Sequence, residues 1–244
     1  KLSENLFKGL SPWMQKLPGG LIHVNVVGCA LFAAISGSSA ATVATVGKMS
    51  IPELRKRNYP EKILLGSLAG SGTLGLLIPP SIILIIYGVA VQESIAKLFI
   101  AGIIPGIMIA LIFMSYVIIW SLINKKEMPK ILEEYSFLEK IKRSKQLLPV
   151  ILLISAVIGS IYTGIATATE AASLGVVGAL ILSYFQKSLT IKTFKSSLLG
   201  ATKTSCMIAF ILAGSTFLSL AMGFTGLPRN LAIWIQNMDL SPYV

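Results

Sequence analysis

The sequence has 244 residues, of which 54% are hydrophobic and 13% charged, and its mean hydropathy is +0.79. This composition excludes an ordinary soluble domain and predicts an all-α, multi-pass membrane protein, because Leu98 to Ile123 has no charged residue and exceeds the roughly 20 residues that span a bilayer. The formal charge of +11 does not indicate a nucleic-acid-binding protein, since the cations lie in short clusters between apolar segments.

The chain is predicted to begin with an amphipathic arm helix, over residues 1–18, on the cytoplasmic membrane surface. A helical hairpin is predicted over residues 21–46. If those residues formed an ordinary spanning helix, the cations around Lys1 and Lys48 would lie on opposite sides of the membrane, against the positive-inside rule. A re-entrant hairpin that enters and leaves on the cytoplasmic side removes this conflict. Its turn is predicted at the small residues Ser36, Gly37, Ser38 and Ser39.

Residues 63–91 are predicted to form a transmembrane helix that is broken near its middle. Glycines between Gly70 and Gly75 interrupt it, and so do Pro79 and Pro80, because proline lacks the amide donor and restricts the residue before it. Non-helical backbone inside a membrane is tolerated only where it is buried in protein or lines a cavity. The break is therefore a candidate binding site, and with the hairpin it forms half of a transport domain over residues 19–97.

The rest of the chain is predicted to contain four more transmembrane segments. One helix covers residues 98–123, a cytoplasmic amphipathic linker covers 124–146, and three transmembrane segments lie within 147–224. Residues 225–244 are predicted to form a periplasmic arm helix that leads to a second hairpin outside the given sequence. Because the two arm helices would lie on opposite sides of the membrane, we expect an inverted repeat, and we expect the chain to be a fragment of a longer protein.

Three glycines also suggest a different kind of protein. Gly70, Gly72 and Gly75 match the spacing of a dinucleotide fingerprint, which would make the chain a membrane oxidoreductase. No strand precedes the glycines, and Pro79 and Pro80 interrupt the helix whose N-terminus would hold the pyrophosphate. We therefore expect no organic cofactor and no enzymatic activity, and a membrane oxidoreductase is the alternative.

Two polar features have both a structural and a functional interpretation. Ser36, Ser38 and Ser39 either form a turn or bind a ligand. A hydrolytic triad has little support, because His23 is the only histidine and no acid in the same segment would orient it. Glu170 is the one ionisable residue between Leu147 and Phe185, which favours a functional role at membrane depth. Alternatively, it lies in water at the outer mouth or caps a helix from its first turn.

Six short runs of sequence carry a family resemblance. They are Ala33 to Thr42, Ile51 to Glu53, Gly70 to Ser81, Ile86 to Val89, Leu98 to Gly106, and Thr167 to Ala172. Together they resemble the large membrane subunit of tripartite ATP-independent periplasmic (TRAP) transporters of the sialic acid or C4-dicarboxylate type. The likeness covers almost the whole chain, although the family often has proline where Ala168 stands.

The resemblance implies a fold, a mechanism and partners. The fold would be an inverted-repeat, elevator-type transporter of the bacterial inner membrane, in which a sodium-driven transport domain carries the hairpin against a scaffold. It would import a small organic acid, such as sialic acid or a dicarboxylate. A soluble periplasmic binding protein would deliver the acid, and a small four-helix membrane subunit would complete the complex. An elevator-type anion transporter without a periplasmic partner and a passive channel are the alternatives.

The resemblance also implies site residues at matching positions. The substrate would face Ser36, Ser39 and Ser81. A first sodium ion (Na⁺) would be enclosed by the hairpin tip and the broken helix, at Ser36, Gly37, Ser38, Gly72, Thr73, Gly75, Ile78 and Pro80. A second sodium site, completed by a later hairpin, would lie near Thr167, Thr169 and Glu170. The residue types agree, since sodium suits carbonyl and hydroxyl oxygens and a carboxylate suits helix N-termini and hydroxyl donors.

Overall fold

The computed structural model describes residues 2–129, 135–145 and 147–238. These residues form α-helices joined by short turns, and no strand occurs among them. The helices are α1 Leu2–Met14, α2 His23–Ser36, α3 Ser39–Lys56, α4 Glu61–Gly72, α5 Ile82–Val91, α6 Ile95–Ile123, α7 Phe137–Ser144, α8 Leu148–Tyr162, α9 Ala168–Phe185, α10 Ile191–Thr225 and α11 Leu227–Gln236. They form two compact units, Lys1–Gln186 and Lys187–Val244.

The described helices include several that suit a membrane. Helices α6, α9 and α10 are each long and apolar enough to span one, and α7 with α8 would be a fourth, bent span if the two count as one. Helix α5 has 10 residues and is apolar, so it is too short to cross alone. This architecture confirms the predicted all-α membrane fold class.

The core of the first unit surrounds α2. This helix is apolar on nearly all sides, as expected of a helix that other helices cover completely. Leu6 and Leu10 of α1, Val24 of α2, Leu54 of α3 and Leu64 of α4 form one buried cluster. The hairpin made by α2 and α3 is thereby held between the arm helix and the first part of the broken helix.

Two helix breaks position the candidate site. Helix α2 ends at Gly37, which has a φ of 59° and donates its amide to the carbonyl of Ala33, and Ser38 then caps α3. Helix α4 runs into a 3₁₀ turn over Thr73–Leu76, and α5 begins only at Ile82. Between them lies the cis peptide bond of Pro79 and Pro80. The chain therefore turns at the small residues and breaks at the prolines.

Some helix bounds differ from the sequence prediction. Helix α3 continues ten residues beyond position 46, to Lys56, because Val46, Ser50 and Leu54 recur at four-residue spacing and are all buried. Helix α10 has 35 residues and ends at Thr225, one residue beyond the predicted range, and Thr190 caps its start with Thr193. The predicted linker contains a 3₁₀ turn over Lys125–Glu127 and then helix α7. Residues 130–134 and 146 of the linker lie outside the described residues. So do residues 239–244 of the predicted second arm helix.

Candidate functional site: the hairpin tip and the broken helix

Hydroxyl groups hold the hairpin tip together. The Oγ of Ser36 lies 2.8 Å from the Oγ1 of Thr42, and that Thr42 hydroxyl donates to the carbonyl of Ser38 at 2.8 Å. The amide of Ser38 donates to the Oγ of Ser36 at 3.4 Å. Thr42 is fully buried and was not among the predicted site residues, although it follows the serines closely in sequence. Part of the serine and threonine content of this run therefore stabilises the turn.

The backbone of the tip lies directly against the break. The amide of Ile82 donates to the carbonyl of Gly37 at 3.2 Å. A Cβ on Gly37 would lie 2.8 Å from the carbonyl oxygen of Pro80, and a Cβ on Gly75 would lie 2.9 Å from the amide nitrogen of Ser39. A Cβ on Gly72 would overlap the side chain of Val43. Glycine at positions 37 and 75 allows two backbones to meet, which brings together the tip and the break.

The other predicted residues of the break have different environments. Ser81 is fully buried and donates its hydroxyl to the carbonyl of Leu76 at 2.8 Å. Thr73 is exposed and donates to the carbonyl of Gly70 at 2.7 Å. Ile78 packs against Gly106 of α6, where its Cγ1 lies 3.0 Å from the position of a Cβ. These residues shape the break, and the hydroxyls of Ser81 and Thr73 bond to backbone carbonyls within it.

Four helix ends meet at this place, with opposite electrostatic character. The helices α3 and α5 begin here, so their N-terminal amides favour an anion such as a carboxylate. Helix α2 ends here, and so does α4 with the 3₁₀ turn that follows it. Carbonyl oxygens at helix C-termini and in unwound backbone suit a cation. The arrangement is therefore electrostatically suited to an anion and a cation close together, without a charged side chain.

Glu170 forms a capping box with Thr167. Its carboxylate accepts a hydrogen bond from the amide of Thr167 at 2.8 Å and another from the hydroxyl of Thr167 at 2.8 Å. The amide of Glu170 donates in return to that hydroxyl at 3.3 Å. All three residues, Thr167, Thr169 and Glu170, are exposed at the start of α9. Of the two interpretations, helix capping is the one that the structure shows.

An apolar cavity of about 330 Å³ connects the hairpin with α8 and α9. Ala34 and Ile35 of the hairpin, Pro80 of the break, and Ala168 and Ala172 of α9 line it. The first turn of α9 therefore borders the same cavity as the hairpin and the break. Glu170 itself does not line it.

Comparison with known families decides the class of protein. The model of the tripartite ATP-independent periplasmic transporter family, DctM component, matches residues 1–244. The chain belongs to this TRAP transporter family. Its permeases are multi-pass proteins of the inner membrane, so both the predicted family and the predicted localisation are confirmed.

Individual relatives agree with the DctM assignment. The chain is 35% identical to the C4-dicarboxylate TRAP transporter large permease protein DctM of Pseudomonas aeruginosa, over 93% of this chain and 52% of that protein. It is 36% identical to the protein of the same name from Rhodobacter capsulatus, over 91% and 53%. It is 32% identical to the sialic acid TRAP transporter large permease protein SiaM of Vibrio cholerae, over 100% and 56%. The chain spans about half the length of these relatives.

Proposed function

We propose that the chain is part of a sodium-coupled secondary active transporter that imports a small organic acid by an elevator movement. A periplasmic binding protein delivers the acid, and a small four-helix membrane subunit completes the complex. The observation that carries this proposal is the backbone contact between the hairpin tip and the broken helix, through Gly37 and Ile82. Membership of the TRAP family supports it, since its permeases are transporters.

The substrate is proposed to be a carboxylate. The relatives named above are named for C4-dicarboxylates and for sialic acid, both of which carry carboxyl groups. The N-termini of α3 and α5 supply amides that favour such a group. Among the predicted hydroxyls, Ser39 is the best placed to bind the substrate, because it is partly exposed and its Oγ has no hydrogen-bond partner within the described ranges. Ser36 and Ser81 already bond within the protein.

The coupling ion is proposed to be sodium, bound by main-chain carbonyls at the ends of α2 and α4. A hard cation of this kind takes oxygen ligands, and the unwound backbone near Gly37 and Gly75 presents carbonyls without a fixed negative charge. Tight packing between Gly75 and Ser39 keeps these carbonyls close to the tip. Movement of the tip would therefore change the sodium site and the substrate site together.

Uptake into proteoliposomes tests the function. The transporter, reconstituted with its small subunit, is given labelled C4-dicarboxylate or sialic acid with the matching binding protein, in a sodium or a potassium gradient. We expect accumulation of one acid only with sodium and only with the binding protein. Equal uptake in potassium would refute the coupling, and equal uptake without the binding protein would indicate a transporter that works alone.

A serine variant tests the substrate site. Ser39→Ala is expected to raise the substrate KM for uptake while leaving the melting temperature unchanged, because the lost hydroxyl has no partner in the described protein. Ser155→Ala is the matched control, since Ser155 is exposed on α8 and does not line the cavity beside the hairpin. Wild-type kinetics in Ser39→Ala would remove that residue from the substrate site.

A further inference from the structure

A second cavity, of about 460 Å³, lies between α1, α3 and α7 and shares no lining residue with the hairpin tip. Among the described residues that line it, cations outnumber acids. Four of its described lining residues are basic, Lys8, Lys48, Arg57 and Arg143, and Glu53 is the one described acid. Lys8, Lys48 and Arg143 are like charges around one cavity, and an anion between them would offset their repulsion. The cavity is therefore suited to a ligand with more than one negative oxygen.

The geometry of Arg143 fits such a ligand. Its guanidinium carbon lies 4.2 Å from the ring centre of Tyr135, which also lines the cavity. Stacking on an aromatic ring restricts the guanidinium and leaves its edge available for a bidentate contact. Phosphate oxygens match that planar fork better than a single carboxylate oxygen or a halide does.

The position of α7 indicates that the cavity lies at the membrane surface. Phe137, Leu138 and Ile141 of α7 are exposed by 66%, 77% and 42%, while Lys140 and Arg143 lie on another side of the helix. Exposed apolar residues on one side and cations on another are typical of a short helix in the headgroup region of a bilayer. Since α7 forms one wall of the cavity, a lipid headgroup is the anion within its reach.

Helix α7 is fixed to the arm helix, which gives the cavity a defined shape. The indole nitrogen of Trp13 donates to the Oγ of Ser144 at 2.8 Å, and the rings of Trp13 and Phe137 meet edge to face. Apolar side chains of α1 and α3, those of Phe7, Met49 and Pro52, also line the cavity. The cavity thus offers both cations and an apolar surface, as an amphiphile requires.

We propose that this cavity binds the phosphodiester headgroup of an anionic phospholipid, with its glycerol and upper acyl chains against the apolar residues. A bound lipid would touch α1, α3 and α7 at once. It would therefore join the arm helix to the hairpin, separately from the organic acid that the hairpin tip is proposed to bind.

Lipid binding by the purified transporter tests the proposal. Retained lipid is measured by native mass spectrometry during titration with phosphatidylglycerol or phosphatidylcholine. In Lys48→Gln/Arg143→Gln we expect the affinity for phosphatidylglycerol to fall on the order of tenfold or more, because each lost cation removes part of the attraction to the anionic headgroup. Lys62→Gln/Lys142→Gln is the matched control, since it removes two exposed charges that do not line the cavity. The control is expected to keep wild-type affinity, and phosphatidylcholine binding is expected to be weak in all variants.

The other outcomes are decisive as well. Equal losses in both double variants would show a general surface attraction and overturn the site. Displacement of phosphatidylglycerol by millimolar inorganic phosphate would overturn the lipid assignment in favour of a free anion. If thermal unfolding shows that the double variant is not folded, Arg143→Lys is measured instead. This variant keeps the charge but loses the planar guanidinium, and it is expected to bind phosphatidylglycerol several-fold more weakly. Wild-type affinity in Arg143→Lys would then contradict the proposal.

Discussion

The amide of Ile82 donates a hydrogen bond to the carbonyl of Gly37 at 3.2 Å. The first residue of α5 thereby pairs with the turn that ends α2, and each supplies a backbone group that a helix end would otherwise leave open. Inside a membrane such groups have to be satisfied by protein. The two helix breaks therefore stabilise each other, and a change that separates their backbones should affect folding and transport together.

Gly75→Ala tests the closest approach in this contact. The new Cβ would lie 2.9 Å from the amide nitrogen and 3.1 Å from the Cα of Ser39, which are backbone atoms with little freedom to move. We expect a loss of about 1–3 kcal/mol in stability from overpacking, and a lower initial rate of uptake.

Gly66→Ala is the control for Gly75→Ala. Gly66 lies on α4 with no atom within 4 Å of a new Cβ, so alanine should be neutral or stabilise the helix by about 0.5–1 kcal/mol. Thermal unfolding and uptake are measured for both variants. If the two behave alike, the packing at Gly75 has no role in transport.

Gly37→Ala tests the tip itself. Gly37 has a φ of 59°, and its new Cβ would lie 2.8 Å from the carbonyl oxygen of Pro80. Gly164 has a similar φ of 72°, but no atom lies within 4 Å of its Cβ position. Both alanines incur the left-handed backbone cost of roughly 1–2 kcal/mol, and only Gly37→Ala adds the clash. We expect Gly37→Ala to be the less stable protein by thermal unfolding and to lose uptake, and equal effects would contradict the contact.

The two helix breaks could be predicted from the sequence because their causes are local. Gly37 supplies a left-handed turn, and Pro79 with Pro80 removes amide donors, whatever the rest of the chain does. The end of a helix that continues into a polar stretch of sequence is harder to predict. Hydropathy alone placed the end of the hairpin near Val46, whereas α3 continues because Ser50 and Leu54 are buried by neighbouring helices.

The contacts between distant segments could not be predicted from one sequence. Trp13 donates to the hydroxyl of Ser144, far along the chain, and both are ordinary residue types without a motif. Glu170 had two interpretations because a carboxylate at the start of a helix and one at an ion site have the same local sequence. The structure shows the capping box, and the sodium role of Glu170 stays a prediction.

Glu170→Gln and Glu170→Ala separate capping from sodium binding. Glutamine can complete a capping box with Thr167, so Glu170→Gln should keep the wild-type melting temperature, whereas Glu170→Ala should lower it. If Glu170 also contributes to a sodium site, uptake by Glu170→Gln will need more sodium for half-maximal rate. An unchanged sodium dependence in Glu170→Gln, with a lower melting temperature in Glu170→Ala, would show that Glu170 only caps α9.

Tyr59→Phe tests the base of the hairpin. The hydroxyl of Tyr59 accepts a hydrogen bond from the amide of Leu21 at 3.0 Å, just before α2, and Leu21 is buried. Phenylalanine would leave that amide without its partner, at a cost of about 1–3 kcal/mol. Tyr87→Phe, at an exposed position on α5, is the control and should keep the wild-type melting temperature.

The stability of the protein in alkali gives a second measurement on Tyr59. Burial raises the pKa of Tyr59 above its ordinary value of 10.0, so the unfolded chain releases this proton at a lower pH than the folded protein does. The folded protein then holds more protons than the unfolded chain, and its stability falls as the pH rises above about 10. Below pH 10 this contribution is fully present. Because Tyr59→Phe has no proton to lose there, its stability disadvantage relative to wild type should shrink in thermal unfolding between pH 9 and 11. If the melting temperatures of the two proteins change in parallel with pH over that range, Tyr59 has the same pKa in the folded and unfolded states.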